Sequence, residues 1–381
     1  MNGGNEWTLE RALARAVESN PDVLAAKYEV ERQEGARLQV RARLLPTVDF
    51  SASLNQREQG LVDLSPSQRL NPSPPTPDTA VALFGYDVSV EVRQTLFDGF
   101  SSWNAAKRQS LVKKESYLSL INTVAQTVSQ VREGFDAILL RTAGVTAQKN
   151  RVDEYSQLVD MTSRKNSVGD IPEFELLRAE AELEGAKADL AEATRSLVQA
   201  QQSFRRLLQI SSSAGPLKIV GKFEPRQFDL PLERAIGLAR ANRPDLQAAT
   251  VAVEAARREL LSDSGGNFPK FQAFASYGGR SSYYDSAVQL KGWTYGVIGQ
   301  WNLFEGGAAR GRRMSLRADQ RSAESKLAQT EQGIVSKLNE LYESLAQSRV
   351  AMEAQGKGLS LSARASHDAR RQYELGSASL D

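Results

Sequence analysis

The side chains that most often carry chemistry in proteins are scarce in this chain of 381 residues. It has no cysteine, which excludes disulfides, thiolate metal sites and thiol nucleophiles. Its one histidine is His367, so a Ser-His-Asp triad or an imidazole metal site would depend on that residue alone. His367 lies in the polar stretch "ARASHDARRQYELG", which is typical of a solvated helix surface. We expect it to be neither a catalytic residue nor a metal ligand.

Closely spaced carboxylates are the other candidates for acid–base chemistry. Glu180 and Glu184 are four residues apart and would share one face of a helix, with Lys187 beside them. That arrangement is typical of ordinary solvated charge. The sequence has no phosphate-binding loop, no cluster with metal-ligand spacing and no nucleophile beside a base. We therefore expect a protein that is not an enzyme and has no cofactor or metal.

Composition and charge indicate a folded protein without a strong electrostatic preference. The chain is 41% hydrophobic and 25% charged, with a formal net charge of +2. No basic run of five or more residues occurs, so we expect no nucleic acid partner. No stretch approaches the ~20 consecutive apolar residues of a membrane helix. The N-terminus lacks the apolar core of a signal peptide, which leaves a cytoplasmic protein or a mature or trimmed chain.

The two halves of the chain resemble each other. "LERALARAVESNPDVLAA" at 9–26 recurs as "LERAIGLARANRPDLQAA" at 232–249, and "LFDG" at 96–99 recurs as "LFEG" at 303–306. The first copy carries extra residues in the proline-rich stretch 62–79, which we interpret as a loop. We predict two structural repeats. They are 8–215, with strands at about 46–58 and 82–96 and long helices at about 99–166 and 171–210, and 216–381, with strands at about 269–284 and 290–304 and a long helix at about 306–375.

Four segments alternate polar and apolar residues, which is the pattern of a strand with one dry and one wet face. A soluble antiparallel sheet would show the same alternation. Two further features favour a membrane barrel: the segments have the length of strands that span a bilayer, and aromatic residues lie near their ends. The positions that we expect to face lipid or to form an aromatic girdle are Phe50, Tyr86, Tyr283, Tyr284, Trp293, Tyr295 and Trp301.

Four strands cannot close a barrel, and an open sheet edge cannot face lipid. Several chains would therefore have to pool their strands, which gives eight, twelve or sixteen strands. The sequence alone leaves these three numbers open.

The helices between the strands are too long for a compact domain. From Phe100 to about Lys165 there is no proline, and some 65 residues would form a rod of about 100 Å. Apolar residues recur at heptad spacing on each long helix, which predicts supercoiled packing. The predicted seams are Tyr117, Ile121, Val124, Val128, Val131, Phe135 and Ile138; then Leu176, Leu183, Leu190, Leu197 and Phe204 with interleaved alanines; and then Ile334, Leu338, Leu341, Leu345, Ser348 and Met352.

Five short sequence motifs, in their order and spacing, carry a resemblance to a known family. "SNPDV" follows the opening helix, "LFDG" and "LFEG" follow the strands, and "VGD" and "LGS" stand where long helices turn. The sequence resembles the TolC family of outer-membrane efflux proteins over essentially its whole length, from Thr8 to Asp381. The resemblance implies a mainly α fold with a β-barrel contribution, in which a homotrimer builds a twelve-stranded barrel and a long periplasmic tunnel.

The resemblance also implies a function and partners. The protein would be a passive outer-membrane exit duct in a Gram-negative bacterium, joined by a periplasmic adaptor to an inner-membrane pump that exports small molecules or proteins. In this family the helix turns meet the adaptor. The matching positions here are Asn166, Ser167, Val168, Gly169 and Asp170, with Leu375, Gly376 and Ser377 in the second copy. The glycines Gly169 and Gly376 are also expected to end their helices in the left-handed conformation.

Two further expectations follow from the resemblance. Acidic rings often narrow the tunnel near the turns, and the candidates here are Asp170, Glu173 and Asp381. The final helix of the second repeat is absent from this chain, which would leave a gap in each copy's share of the tunnel wall. The alternative to a duct is a soluble, elongated coiled-coil scaffold, which explains the helices but gives the amphipathic strands no role.

Overall fold

The computed structural model describes residues 6–57, 83–211, 217–222, 228–281 and 289–374. Helices dominate it, as predicted, and the strands are fewer and shorter. The elements in chain order are β1 (Glu6–Trp7), α1 (Leu9–Ser19), α2 (Pro21–Ala42), β2 (Thr47–Arg57), β3 (Leu83–Phe97), α3 (Ser101–Ser167), α4 (Glu173–Leu207), β4 (Lys218–Ile219), α5 (Leu232–Asn242), α6 (Pro244–Ser264), β5 (Lys270–Ser281), β6 (Gln289–Gln300) and α7 (Ala308–Glu374).

The chain divides into two compact units. The helical unit is built around Tyr117–Ala248, together with the described residues up to Tyr28 and from Lys326 onward. The strand-bearing unit consists of Glu29–Ser116 and Ala249–Ser325. Each unit takes segments from both predicted repeats. The duplication remains a prediction from the sequence. The long helices α3 and α7, one in each predicted repeat, both have 67 described residues.

The helical unit has a core in which α3 and α4 face each other. The largest fully buried side chain among the described residues is Phe204, 2% exposed, whose ring centroid lies 6.3 Å from that of Phe135. Ala179 and Ala186 on α4 are buried at the predicted alternate layers, where a small side chain allows close helix approach. The other members of the core cluster are Trp7, Ala12, Ala16, Val131, Ile138, Leu208 and Leu217.

The predicted seam on α3 is correct only in part. Val131, Phe135 and Ile138 are buried, but Tyr117 is 54% exposed, and Leu118 is buried in its place. A straight α-helix drifts by about 20° per heptad against a strict seven-residue repeat, so the buried stripe moves to a neighbouring position over a few heptads.

The predicted seam on α7 is likewise buried only near its start. Ile334 is buried, whereas Leu341 and Met352 are mostly exposed. In the described part of the chain, the later seam residues are therefore not packed into the core.

The strand-bearing unit contains one four-stranded antiparallel sheet in the order β2-β3-β5-β6. β2 pairs with β3 over the whole of Thr47–Arg57, and β5 pairs with β6 over Lys270–Ser281. β3 also pairs with β5, which joins the two halves of the chain into one sheet. The predicted loop 62–79 lies outside the described residues.

Candidate functional site

One face of the sheet carries four of the seven predicted lipid-facing or girdle residues, namely Phe50, Tyr86, Trp293 and Tyr295. Residues that are direct neighbours across antiparallel strands point to the same side of the sheet. Tyr86 lies on this face opposite Leu54. Two adjacent rows cross all four strands, and they read Phe50–Val90–Tyr277–Trp293 and Val48–Val92–Ala275–Tyr295.

This apolar face is uncovered in the single chain. Phe50, Trp293 and Tyr295 are 70%, 70% and 79% exposed. The rings of Tyr277 and Trp293 pack against each other across β5 and β6, with their centroids 5.0 Å apart. An apolar face of this extent indicates a surface that contacts lipid or another apolar medium.

The opposite face of the sheet is mainly polar. Asp49 and Glu91 are direct neighbours across β2 and β3, and Arg93 forms an ion pair with Glu91. The hydroxyls of Ser51 and Ser89 lie 2.8 Å apart, at hydrogen-bonding distance. The sheet thus separates an apolar side from a hydrated side, as the alternation in the sequence predicts.

Both outer edges of the sheet are open. Among the described strands, β2 pairs only with β3, and β6 pairs only with β5. The backbone N–H and C=O groups along those edges are available to further strands. A sheet with an apolar face and two free edges can accept neighbours on either side.

Trp301 and the "LFEG" segment lie outside the sheet, which corrects the prediction that the last strand extends to residue 304. Lys270 pairs with Gln300, and the residue before Lys270 is Pro269, which has no N–H to continue the ladder. Trp301 instead donates its indole N–H to the backbone carbonyl of Asn267 at 3.1 Å.

The two strand-to-helix connections therefore differ. Before α3, Leu96 and Phe97 still belong to β3, and Asp98 caps α3 by accepting a hydrogen bond from the Ser102 N–H at 2.9 Å. Before α7, the Glu305 carboxylate instead pairs with Arg312 at 2.8 Å.

The turn between α3 and α4 positions the five residues predicted to meet an adaptor. Gly169 has φ +83°, in the left-handed region that glycine adopts without strain. The Gly169 N–H donates to the Asn166 carbonyl and the Asp170 N–H donates to the Lys165 carbonyl, both at 2.9 Å, which together form a Schellman turn. The Asn166 side-chain amide donates to the Ile171 carbonyl at 3.0 Å, and the Ser167 hydroxyl donates to the Arg164 carbonyl at 2.7 Å.

These contacts leave an exposed apolar side chain at the turn. Val168 is 73% exposed. Phe174 and Leu177, near the start of α4, are 68% and 55% exposed, and our sequence reasoning did not select them. Both are apolar residues at positions of α4 that the heptad repeat does not place in the core. An apolar residue outside the heptad seam is the sequence signal that could have identified them.

The structure describes only two of the three candidate gate acids. Asp170 lies in the turn and Glu173 is the first residue of α4, where the helix dipole also favours a carboxylate. Asp381 lies outside the described residues. So do the other turn positions Leu375, Gly376 and Ser377, and the girdle candidates Tyr283 and Tyr284.

His367 lies on α7 with its side chain 76% exposed and its Nδ1 atom 3.5 Å from the Asp368 carboxylate. Within the described ranges, no three histidine, cysteine, aspartate or glutamate side chains come together to hold a metal ion. None of the helices in those ranges is both long and apolar enough to span a membrane.

The chain is similar to a known family in sequence and to solved proteins in fold. The profile of the family described as "Outer membrane efflux protein" matches residues 12–208 and 235–380. The outer membrane protein VceC of Vibrio cholerae superimposes with a TM-score of 0.82 at 15% identity, over 97% of this chain and 87% of VceC. For the CmeC outer membrane channel of Campylobacter jejuni, the TM-score is 0.81 at 17% identity, over 98% and 78% of the two chains. For the open-state MtrE outer membrane channel of Neisseria gonorrhoeae, it is 0.62 at 19% identity, over 96% and 78%.

Proposed function

Because the chain belongs to the outer membrane efflux protein family, we propose that it forms a passive exit duct in the outer membrane of a Gram-negative bacterium. Several copies pool their sheets into one closed barrel. Small molecules or proteins cross the membrane through its lumen, and the helices extend that passage into the periplasm. The chain itself performs no catalysis, and the energy for transport comes from a pump.

The observation that carries this proposal is the open sheet with its exposed apolar face. Phe50, Trp293 and Tyr295 leave large apolar areas exposed in the single chain. Lipid acyl chains can contact such a face, whereas its exposure to water is unfavourable. The free edges of β2 and β6 pair with each other when copies are arranged around an axis. Three copies give twelve strands, which is the number that the resemblance to the TolC family implies.

The partners follow from the same arrangement. The duct is a homotrimer, and the turn around Val168 and Gly169 is the surface that docks on a periplasmic adaptor protein. The adaptor in turn connects the duct to an inner-membrane pump. Support for this surface comes from the exposed side chain of Val168 on a turn whose backbone hydrogen bonds are satisfied locally. The acids Asp170 and Glu173 are proposed to narrow the tunnel entrance near this turn.

The test is fractionation of the exported full-length protein, followed by detergent extraction and a measurement of the native mass of the particle. We expect a trimer in the outer-membrane fraction. A protein that stays soluble without detergent, as a monomer or dimer, would contradict the proposal. That result would favour the alternative, a soluble coiled-coil scaffold, which explains the heptads of α4 but not the apolar face of the sheet.

A further inference from the structure

Four arginines form a stripe along the first turns of α7. Arg310, Arg313, Arg317 and Arg321 are spaced by three and four residues, which places them on one side of the helix. They line a groove of about 590 Å³, together with Asn267, Ala309, Met314 and Ala318. We call this group of four side chains the arginine stripe.

The arginine stripe has no carboxylate partner within the described part of the chain. The nearby acids Asp263 and Glu305 are both engaged by Arg312, at 3.2 and 2.8 Å. Asp319 falls on the opposite side of α7, and Glu324, which is on the same side as the stripe, accepts a hydrogen bond from Gln320 at 2.9 Å. Like charges at the spacing of the four arginines repel each other on a helix surface, and an anion against the stripe would relieve that repulsion.

One member of the stripe also has an unsatisfied polar atom. The Nε of Arg313 is buried and has no hydrogen-bond partner among the residues that the structure describes. A buried N–H without an acceptor is destabilising. An oxyanion in the groove would supply that acceptor, and phosphate suits arginine because its oxygens accept two N–H groups at once.

The stripe begins directly beside the surface that we propose to face lipid. The connection between β6 and α7 exposes Trp301, Leu303 and Phe304 by 57%, 78% and 88%. Trp301 is hydrogen-bonded to Asn267, and Asn267 lines the groove. Along the chain these exposed aromatic and apolar groups are followed by the cationic groups from Arg310 onward, which is the order from the interface of a bilayer to its headgroups.

We propose that the arginine stripe binds the phosphate headgroups of anionic phospholipids in the leaflet on the helical side of the barrel. This inference rests on the proposed membrane function of the sheet. Met314, 75% exposed, adds an apolar contact within the groove for the glycerol and upper acyl region. The ligand is a lipid rather than a free anion because exposed apolar side chains adjoin the cations.

The geometry predicts a gradient of effect along the stripe. Arg310 and Arg321 are separated by about 16 Å along the helix axis, whereas the headgroup layer is only about 6 Å thick on each side of a bilayer. Helical side chains point back toward the N-terminus, so arginines extend toward the membrane. Arg310 and Arg313 therefore lie at headgroup depth, Arg317 reaches it with its side chain, and Arg321 lies too far away.

The test uses Trp301 as a local reporter in a chain that carries Trp103→Phe and Trp293→Tyr. The protein is reconstituted in bilayers that contain brominated phosphatidylglycerol or brominated phosphatidylcholine, and quenching of the Trp301 emission reports which lipid lies beside it. The same chain with Trp301→Phe supplies the background. Arg310→Gln, Arg317→Gln and Arg321→Gln are compared, and Arg364→Gln at the far part of α7 is the control.

We expect phosphatidylglycerol to be preferred beside Trp301. A cation close to an anionic surface contributes about 1 kcal/mol, so Arg310→Gln should reduce this preference about fivefold. Arg317→Gln should reduce it less, and Arg321→Gln and Arg364→Gln should leave it within about twofold of the parent.

Five results would overturn the proposal. If Arg310→Gln and Arg321→Gln reduce the lipid preference equally, the depth argument fails. If inorganic phosphate added in detergent changes the Trp301 emission as much as the anionic lipid does, the groove binds a free anion and not a lipid. If Arg310→Gln keeps the lipid preference but changes the ion selectivity of the duct, the stripe faces the lumen. If this variant keeps the lipid preference but no longer forms a trimer, the stripe lies between copies. If neither brominated lipid quenches Trp301 at all, the sheet does not lie in the bilayer, and the proposed function fails together with this inference.

Discussion

Gly99 and Gly265 are in direct backbone contact where β3 passes into α3. A Cβ atom on Gly99 would lie 2.5 Å from the carbonyl oxygen of Gly265. Gly99 also has φ +67°, in the left-handed region. The end of α6 therefore lies against the connection between sheet and helix, and both glycines are required for the approach.

Replacement of Gly99 by alanine should destabilise the protein by at least about 2 kcal/mol, since backbone strain and a backbone clash combine. Gly35→Ala in α2 is the matched control, because nothing lies within 4 Å of a Cβ atom there. It should stabilise the protein by about 0.5–1 kcal/mol. The thermal unfolding temperatures of the detergent-extracted variants measure both effects, and equal shifts would contradict the contact.

Removal of the helix cap at Asp98 should have a smaller cost. Its carboxylate accepts the Ser102 N–H at 2.9 Å, and loss of such a cap costs about 1 kcal/mol. We expect Asp98→Ala to lower the unfolding temperature and Asp98→Asn to leave it nearly unchanged, because asparagine caps equally well. A loss of the same size in both variants would mean that charge, and not the cap, matters at this position.

Acid should weaken the contact between α2 and α3 through Glu34. Hydrogen bonds from Arg37, at 2.5 Å, and from Lys113, at 2.8 Å, lower the pKa of Glu34 from 4.5 to about 2. Because folding lowers the pKa of Glu34, its ion pairs stabilise the folded state fully above pH 4.5, and this stabilisation is lost as the pH falls toward 2.

The measurement is the unfolding temperature as a function of pH in that interval. Glu34→Gln should show a weaker dependence than the parent. Lys113→Gln removes one of the two groups that hold the pKa low, so its stability should decline at a higher pH than that of the parent. A pH dependence unaltered by Glu34→Gln would contradict the assignment.

Docking at the α3–α4 turn predicts a position-specific crosslink. A photoreactive residue in place of Val168, which is 73% exposed, should crosslink to the adaptor in cells that express the complete export system. Leu140 on α3, 60% exposed and away from the turn, is the matched control and should give no adaptor crosslink. Equal crosslinking at both positions would show that exposure alone, and not the turn, determines the contact.

Val168→Asp should reduce export without loss of the trimer, because a charge at the turn has to be desolvated when the adaptor docks. The measurement is the amount of exported substrate at constant protein level. Normal export by this variant would indicate that the adaptor docks elsewhere.

Much of the fold can be predicted from the sequence because apolar residues recur with the period of a strand or a helix. Alternation over 47–55 places Phe50 on the apolar face, and the heptads of α4 correctly predict buried Ala179, Ala186 and Phe204. The turn at Gly169 is also correct, because a glycine that ends a long helix has few other conformations available to it. These features depend on neighbours within a few residues of each other.

The sequence by itself determined which residues share a face of a strand or a helix, and that the strands are amphipathic. Only the tertiary structure decided that β3 pairs with β5 and that Pro269 ends the ladder at Gln300. It also decided that Asp263 and Glu305 bind Arg312, so that the arginine stripe has no carboxylate partner among the described residues. The physical reason is the range of the interactions. A side-chain period is a property of the local backbone, whereas pairing, strand ends and ion pairs depend on contacts between residues far apart in the chain.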